Sequence, residues 1–346
     1  MNTIPPQPIQ YYANLPKVEL HRHLEGSVRL ATLLDVGRAS GMNLPKTGEL
    51  RELVQMGSEE EYSYDKFLSK FQTLRLFYRS PEIIERVTIE TIADAAADHI
   101  LYMELRFTPV ALSRAEGFPL GEVMDWVIGA VQKGEQQYGV KTRLIAGVNR
   151  HEDVSLAEKV VELAAERRDR GLLGLDLAGN EAQFSSRGFL GVFKEARQAG
   201  LHVTIHAGEW AGAENVMDAI LYLNADRIGH GVRVLEDPDV TALARDRGIP
   251  FEVCVTSNYQ SGVVPSLTVH PLTRMLAHGL NVTINTDDPS VSQITLGSEY
   301  SLVCEELGLS REVLHQRVVA AAQASFLPED EKAELVRLLG NEFPQP

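Results

Sequence analysis

The sequence predicts an α/β fold of the (β/α)8 barrel type. Two observations carry this. From Pro81 onward, short apolar runs alternate regularly with longer stretches of helical periodicity, and with Val18–His21 at the front the runs number eight. The runs are continuous rather than alternating, as in strands of a parallel sheet buried on both faces. Eight such units in roughly 250–300 residues match a closed barrel. A doubly wound open sheet would bind its ligand beside a glycine-rich turn, and no G-x-G-x-x-G follows an early strand.

Residues 1–16 hold four prolines and little periodicity, so they read as an N-terminal arm. After the first strand, Val28, Leu30, Leu33, Leu34 and Val36 mark the apolar face of a helix over Ser27–Ala39, with Ser27 as its N-cap. Residues 45–80 break the rhythm. Their aromatic cluster, from Tyr62 and Tyr64 through Phe67, Phe71, Phe77 and Tyr78, predicts an inserted helical lid over the end of the first strand, with ordinary core packing as the competing reading.

The remaining strands are expected at 100–107, 142–148, 172–178, 201–205, 227–228, 250–254 and 280–285. Helices lie between them, at about 81–99, 120–138, 154–170, 188–199, 212–223, 237–247 and 271–279. Beyond about residue 296 come extra helices, broken at Pro328, so residues 1–346 read as a single barrel domain.

Composition is that of a globular protein, with 44% hydrophobic and 23% charged residues and no apolar run of membrane-spanning length. The formal charge of −15 is scattered, which argues against nucleic acid or an anionic membrane as partner. No basic residue precedes an apolar stretch at the N-terminus, and Cys254 and Cys304 are the only cysteines. These features predict a cytoplasmic protein without disulfides.

In a barrel, polar residues at the C-terminal strand ends build the active site. Here those ends carry His21 and His23, Gly179, His206, His230, Ser257 and Asn258, and Asp287-Asp288. Alternate side chains of an extended strand share a face, so His21 and His23 make a half-site for a divalent metal. Three histidines and one carboxylate suit zinc and leave a place for water, whose pKa falls to about 7.

His230 then sits as a base or an electrostatic partner for that water, and Glu209 as a proton donor to substrate. One of the two aspartates turns to the metal and the other to the ligand. Asp287-Asp288-Pro289 also reads as a helix start. His99, His151, His202, His278 and His315 are set aside as background, and His270 as a helix-start residue. No lysine lies between Lys159 and Lys194 to bridge a second metal, which favours one ion. The H-x-E…P-C-x-x-C zinc signature is absent.

The stretches KVELHRHLEGS (17–27), DLAGNE (176–181), HAGE (206–209), RIGHG (227–231), EVCVTSN (252–258) and NTDDPS (285–290) together resemble the adenosine deaminase family of zinc-dependent barrel hydrolases. The resemblance implies one Zn2+ held by His21, His23, His206 and Asp287. It implies that Glu209 protonates the purine at N1, and that His230 and Asp287 orient and help deprotonate the water. Asp288 would bind N7 and the Gly179 backbone the ring edge, while Phe67, Leu68 and Phe71 belong to the lid helix over the sugar.

The expected reaction converts adenosine or 2′-deoxyadenosine to the 6-oxo nucleoside and ammonia, in purine nucleoside salvage. Three positions depart from the family pattern: Glu25 stands where Asp usually reaches the ribose, Asn180 where Asp is usual, and Val255 where Pro is usual. Adenine and aminodeoxyfutalosine are therefore alternative substrates, although Tyr259–Val264 resembles the adenosine enzymes more than the adenine enzymes. Hydrolysis of an ester or cyclic amide, or nucleoside binding without turnover, would keep the fold; the intact Glu209 argues against the latter.

Overall fold

The computed structural model describes residues 9–343. Eight parallel strands follow one another around a barrel in sequence order. They are β1 (Lys17–His23), β2 (Ile100–Phe107), β3 (Lys141–Asn149), β4 (Leu172–Ala178), β5 (His202–Ala207), β6 (Arg227–His230), β7 (Pro250–Val253) and β8 (Asn281–Ile284). The expected strand set is recovered. The seam between β8 and β1 is closed not by β8 itself but by the segment beyond it. There His23 N–H donates to Asp287 O and Asp287 N–H to His21 O, each at 2.8 Å, and Leu20 N–H donates to the Asn285 side chain at 2.9 Å.

The helical shell differs from the sequence reading in detail. Ser27 does not cap a helix: it ends a 3-10 turn, Glu25–Ser27, and the helix Leu30–Ala39 starts after Arg29. The Ser27 hydroxyl instead donates to His23 O at 2.6 Å and accepts from Arg22 Nε at 3.2 Å, tying the turn to the strand end. Part of the arm, Ile9–Ala13, is a docked helix with Tyr12 buried, while residues 1–8 lie outside the described residues. The expected helix at 154–170 divides into Val154–Ala165 and a 3-10 turn, Arg168–Arg170. Pro328 immediately precedes the last helix, Glu329–Glu342, where its missing N–H costs no helical bond.

Between β1 and β2 lie the helices Thr47–Val54 and Tyr64–Leu74 and the 3-10 turn Arg75–Phe77. Lys70 locks this insertion. Its ammonium reaches both Glu60 carboxylate oxygens, at 2.8 and 2.9 Å, and Glu52 O at 2.6 Å. Phe67, Leu74, Phe77 and Tyr78 are buried, so part of the aromatic cluster is core.

The inside of the barrel is charged rather than apolar. Arg106, Arg227, Glu104, Asp176 and Glu252 are each no more than 1% exposed. Arg227 pairs with Glu104 and Glu252, and Arg106 with Asp176 at 3.1 Å and Glu252 at 2.9 Å. Buried charges persist only when paired like this, and removing one partner of such a pair costs about 3–5 kcal/mol.

Glu299, on the C-terminal helix Leu296–Glu305, accepts Thr256 N–H at 3.1 Å and so anchors the helix Val255–Gln260. Burial pushes its carboxyl up to about 7 against the lowering pull of the Thr256 hydrogen bonds. The folded state thus keeps a proton that the unfolded chain releases near 4.5. That contribution is fully present below about pH 4.5 and is lost as pH rises through about 7. Glu299→Gln is expected to flatten the corresponding fall in thermal midpoint between pH 5 and 8, measured by calorimetry. Among the described residues no helix is long and apolar enough to cross a membrane.

Candidate active site

Strand ends from around the barrel converge at its C-terminal mouth. The ligand atoms of His21, His23, His206 and Asp287 all lie within 4.8 Å of one another. His21 Nε2 and His23 Nε2 each stand 3.3 Å from Asp287 Oδ1. His21 Nδ1 sits 2.8 Å from Glu252 Oε2 and His206 Nδ1 3.0 Å from Asp176 Oδ1. Each Nδ1–H therefore donates outward to a carboxylate, and each Nε2 presents a lone pair to the centre. Arg106 bridges the two orienting carboxylates.

His21 Nε2 is buried without a hydrogen-bond partner, beside an ionised carboxylate. Lone pairs facing an anion repel unless a cation lies between them, so this donor set fits a divalent metal. Burial alone would raise the Asp287 carboxyl, but the imidazoles of His21, His230 and His23 hold it well below the usual range.

Two strained residues aim the groups. His230 and Asp287 have φ of 58° and 67°. For non-glycine residues this costs about 1–3 kcal/mol each and persists only where surroundings enforce it. Strand alternation thus does not separate Asp287 from Asp288, as the sequence suggested; the left-handed turn at Asp287 does. Ser257 Oγ donates to Asp287 Oδ2 at 2.6 Å.

A second chain of hydrogen bonds sets His230. His270 Nδ1 accepts Leu272 N–H at 3.2 Å, so its Nε2–H donates to Asn258 Oδ1 at 3.4 Å, and Asn258 Nδ2 donates to His230 Nδ1 at 3.1 Å. Burial lowers His270 to about 3 and His230 well below its usual value, so both are neutral. His230 Nε2 consequently carries the proton, 3.8 Å from Glu209 Oε1 and 3.9 Å from Asp287 Oδ2. His270 does not start a helix as the sequence suggested: it closes the 3-10 turn Leu267–Val269, the helix Leu272–Ala277 being capped by Pro271, and it takes part in this chain instead.

Glu209 lies on a loop held by Glu181, whose carboxylate accepts the N–H groups of Gly208, Glu209 and Trp210 at 2.7–2.9 Å. Burial, with Asp287 and Glu181 nearby, raises the Glu209 carboxyl well above the ordinary range. Asp288 is raised for the same reasons, burial first and then Asp287 and Glu25. Glu25 Oε1 accepts Thr108 N–H at 2.7 Å while Oε2 has no partner, and burial raises this group too.

These groups border a cavity of about 260 Å³, whose lining also includes Gly179 and, from the helix Tyr64–Leu74, Phe67, Leu68 and Phe71. His151, set aside in the sequence, also lines it. Gly26 is required at its place: a Cβ there would lie 1.8 Å from Asp288 Oδ1. Gly26→Ala is expected to retain bound metal and lower kcat/KM by about tenfold or more through displaced Asp288, checked by metal analysis and steady-state kinetics.

The adenosine deaminase family model matches residues 16–341. The chain belongs to the adenosine deaminase family. It is 39% identical over 328 residues to an adenosine deaminase of Klebsiella pneumoniae, covering 94% of this chain and 98% of that protein. Among solved structures, a zinc-bound amidohydrolase from Burkholderia ambifaria superposes with TM-score 0.90 at 26% identity, covering 99% of this chain and 94% of that one. An adenine deaminase from Arthrobacter aurescens follows at TM-score 0.88 and 27% identity, covering 94% and 98%. As an adenosine deaminase family member, this enzyme is a hydrolase acting on C–N bonds.

The sequence reading missed Asp176, Glu252, Arg106 and Glu181 as supports of the site. Their signal was available. Charged residues interrupt otherwise apolar strands at Glu104 and Arg106, at Asp176 and at Glu252, which marks inward-facing barrel positions.

Proposed function

We propose that the enzyme deaminates adenosine and 2′-deoxyadenosine hydrolytically, giving inosine or deoxyinosine and ammonia, with one zinc ion per chain, in cytoplasmic purine nucleoside salvage. The observation that carries this is the pair of buried carboxyls, Glu209 and Asp288, lining a cavity shared with the metal-ligand set, where burial and neighbouring carboxylates raise both well above the ordinary range. A 6-aminopurine ring offers acceptors at N1 and N7, which two neutral acids satisfy as donors.

His21, His23, His206 and Asp287 would hold the metal. When bound, it supplies Lewis acidity that makes water nucleophilic near neutral pH. Asp287 Oδ2 accepts a proton from the attacking water. His230, protonated at Nε2 by its hydrogen-bond chain, donates toward the incoming oxygen, which favours the electrostatic role over that of a base. Glu209 delivers its proton to N1 as water adds at C6; the proton taken by Asp287 then passes to the 6-amino group, which leaves as ammonia, and the hydroxyl proton returns to Glu209 as the 6-oxo ring forms. The Gly179 backbone borders the ring edge, and Glu25 with Phe67, Leu68 and Phe71 borders the sugar. The scattered negative charge and the enclosed cavity support a small molecule as partner, rather than nucleic acid or a membrane.

The test is a spectroscopic deamination assay on zinc-loaded protein with adenosine, 2′-deoxyadenosine, adenine and aminodeoxyfutalosine at equal low concentration. Preference for the first two is expected. Preference for adenine or aminodeoxyfutalosine would retain the chemistry and reassign the pathway. Turnover of none, with metal bound, would refute the proposal.

A further inference from the structure

The barrel mouth offers a metal ion two overlapping sets of donors. His21, His23, His206 and Asp287 form one. His21, His230, Cys254 and Asp287 form the other, and their ligand atoms also lie within 4.8 Å of one another. Either set could fill a tetrahedral shell, and a soft or borderline ion would be drawn to the one with sulfur. What separates them is the proton on one imidazole.

The rings of His21, His206 and His230 stand 4.7–5.1 Å apart, centroid to centroid, yet their Nδ1 partners differ. Glu252 and Asp176 accept from the Nδ1–H of His21 and His206, which leaves each Nε2 a lone pair. At His230 the partner is the side chain of Asn258, and an amide donates or accepts according to which way it is turned.

His270 decides the turn. Its Nδ1 accepts the Leu272 N–H at 3.2 Å, so the proton of the neutral ring sits on Nε2 and faces Asn258 Oδ1 at 3.4 Å. Burial is what lowers this ring to about 3, so it directs Asn258 through a hydrogen bond and not through charge. The Asn258 backbone is pinned as well: its N–H donates to Cys254 O at 2.9 Å, and its carbonyl accepts the Val264 N–H at 3.1 Å. The Asn258 NH2 is left facing His230 Nδ1 at 3.1 Å. One His230 nitrogen is taken by that donor and the other by its own proton, so the ring has no free lone pair for a metal.

We propose that Asn258 and His270 are positioning residues that hold His230 as its Nε2–H tautomer. This bars His230 from the metal, keeps the ion on the set that includes His23 and His206, and leaves His230 as an N–H donor to the oxygen attacking C6. The donor role rests on the deaminase reading, whereas the bar to metal does not.

The test uses protein with isotope-labelled histidine ring nitrogens, loaded with NMR-active cadmium, a soft ion that favours the sulfur-containing set. Coupling to cadmium is expected in the rings of His21, His23 and His206 and not in His230, whose proton should sit on Nε2; His230→Gln identifies its signals. Cadmium coupling to His230, or its proton on Nδ1, would overturn the proposal. Asn258→Leu, which removes both hydrogen bonds at similar size, should populate the Nδ1–H form, and an unchanged His230 spectrum in that variant would also overturn it.

Kinetics of zinc-loaded enzyme read the same lock. His270→Phe and His270→Gln both lose the bond to Leu272 N–H, but Gln keeps an N–H for Asn258 Oδ1. The Gln variant is expected to exceed the Phe variant by about tenfold in kcat, with metal content and KM alike, and equal values would remove His270 from the lock. If metal-loaded wild type deaminates no 6-aminopurine while the spectra are as expected, the deaminase reading falls and the tautomer lock stands. Deamination by an enzyme whose His230 couples to cadmium would sink the lock alone.

Discussion

Glu209→Gln is expected to bind metal at wild-type stoichiometry and to lose about 10²–10⁴-fold in kcat, the usual contribution of a positioned general acid. The substitution preserves shape and the loop held by Glu181, but an amide has no acidic proton to give N1. Glu209 is kept protonated by burial and by Asp287 and Glu181, none of which Gln disturbs. The measurement is single-turnover kinetics alongside metal analysis of the same preparation. Activity within a few-fold of wild type would show that another group protonates the ring. Loss of metal together with activity would show a structural defect instead.

His21→Ala is expected to abolish metal binding and reduce turnover to background. His21 is held by Glu252 on one side and offers its buried lone pair to the ligand set on the other. Metal bound to the folded state stabilises it by mass action, about 4 kcal/mol at a thousandfold excess over Kd. Chelation should therefore lower the thermal midpoint of the wild type and leave that of His21→Ala unmoved. A variant that retained stoichiometric metal, or a wild type indifferent to chelator, would refute the ligand set.

Much of the architecture was legible without coordinates, because a parallel barrel writes each strand as a short apolar run and each active-site group at its end. His21, His23, His206, His230 and Asp287 were singled out in that way, and the structure brings their side chains close together. Ser27 was misread because a local capping preference lost to the hydrogen bonds that tie the Glu25–Ser27 turn to β1. His151 was passed over because a loop histidine carries no periodic signal, and only the folded loop brings it to the cavity.

The sequence by itself determined the barrel, the polar strand ends and the family, since these follow from local patterning and motif order. Only the tertiary structure decided how the site is aimed. The Arg106 bridge between Asp176 and Glu252, the His270–Asn258–His230 chain and the left-handed turn at Asp287 join residues far apart in the chain. Hydrogen-bond partners, tautomers and the proton on Glu209 depend on burial and on neighbours from other strands, and neither exists before the barrel closes.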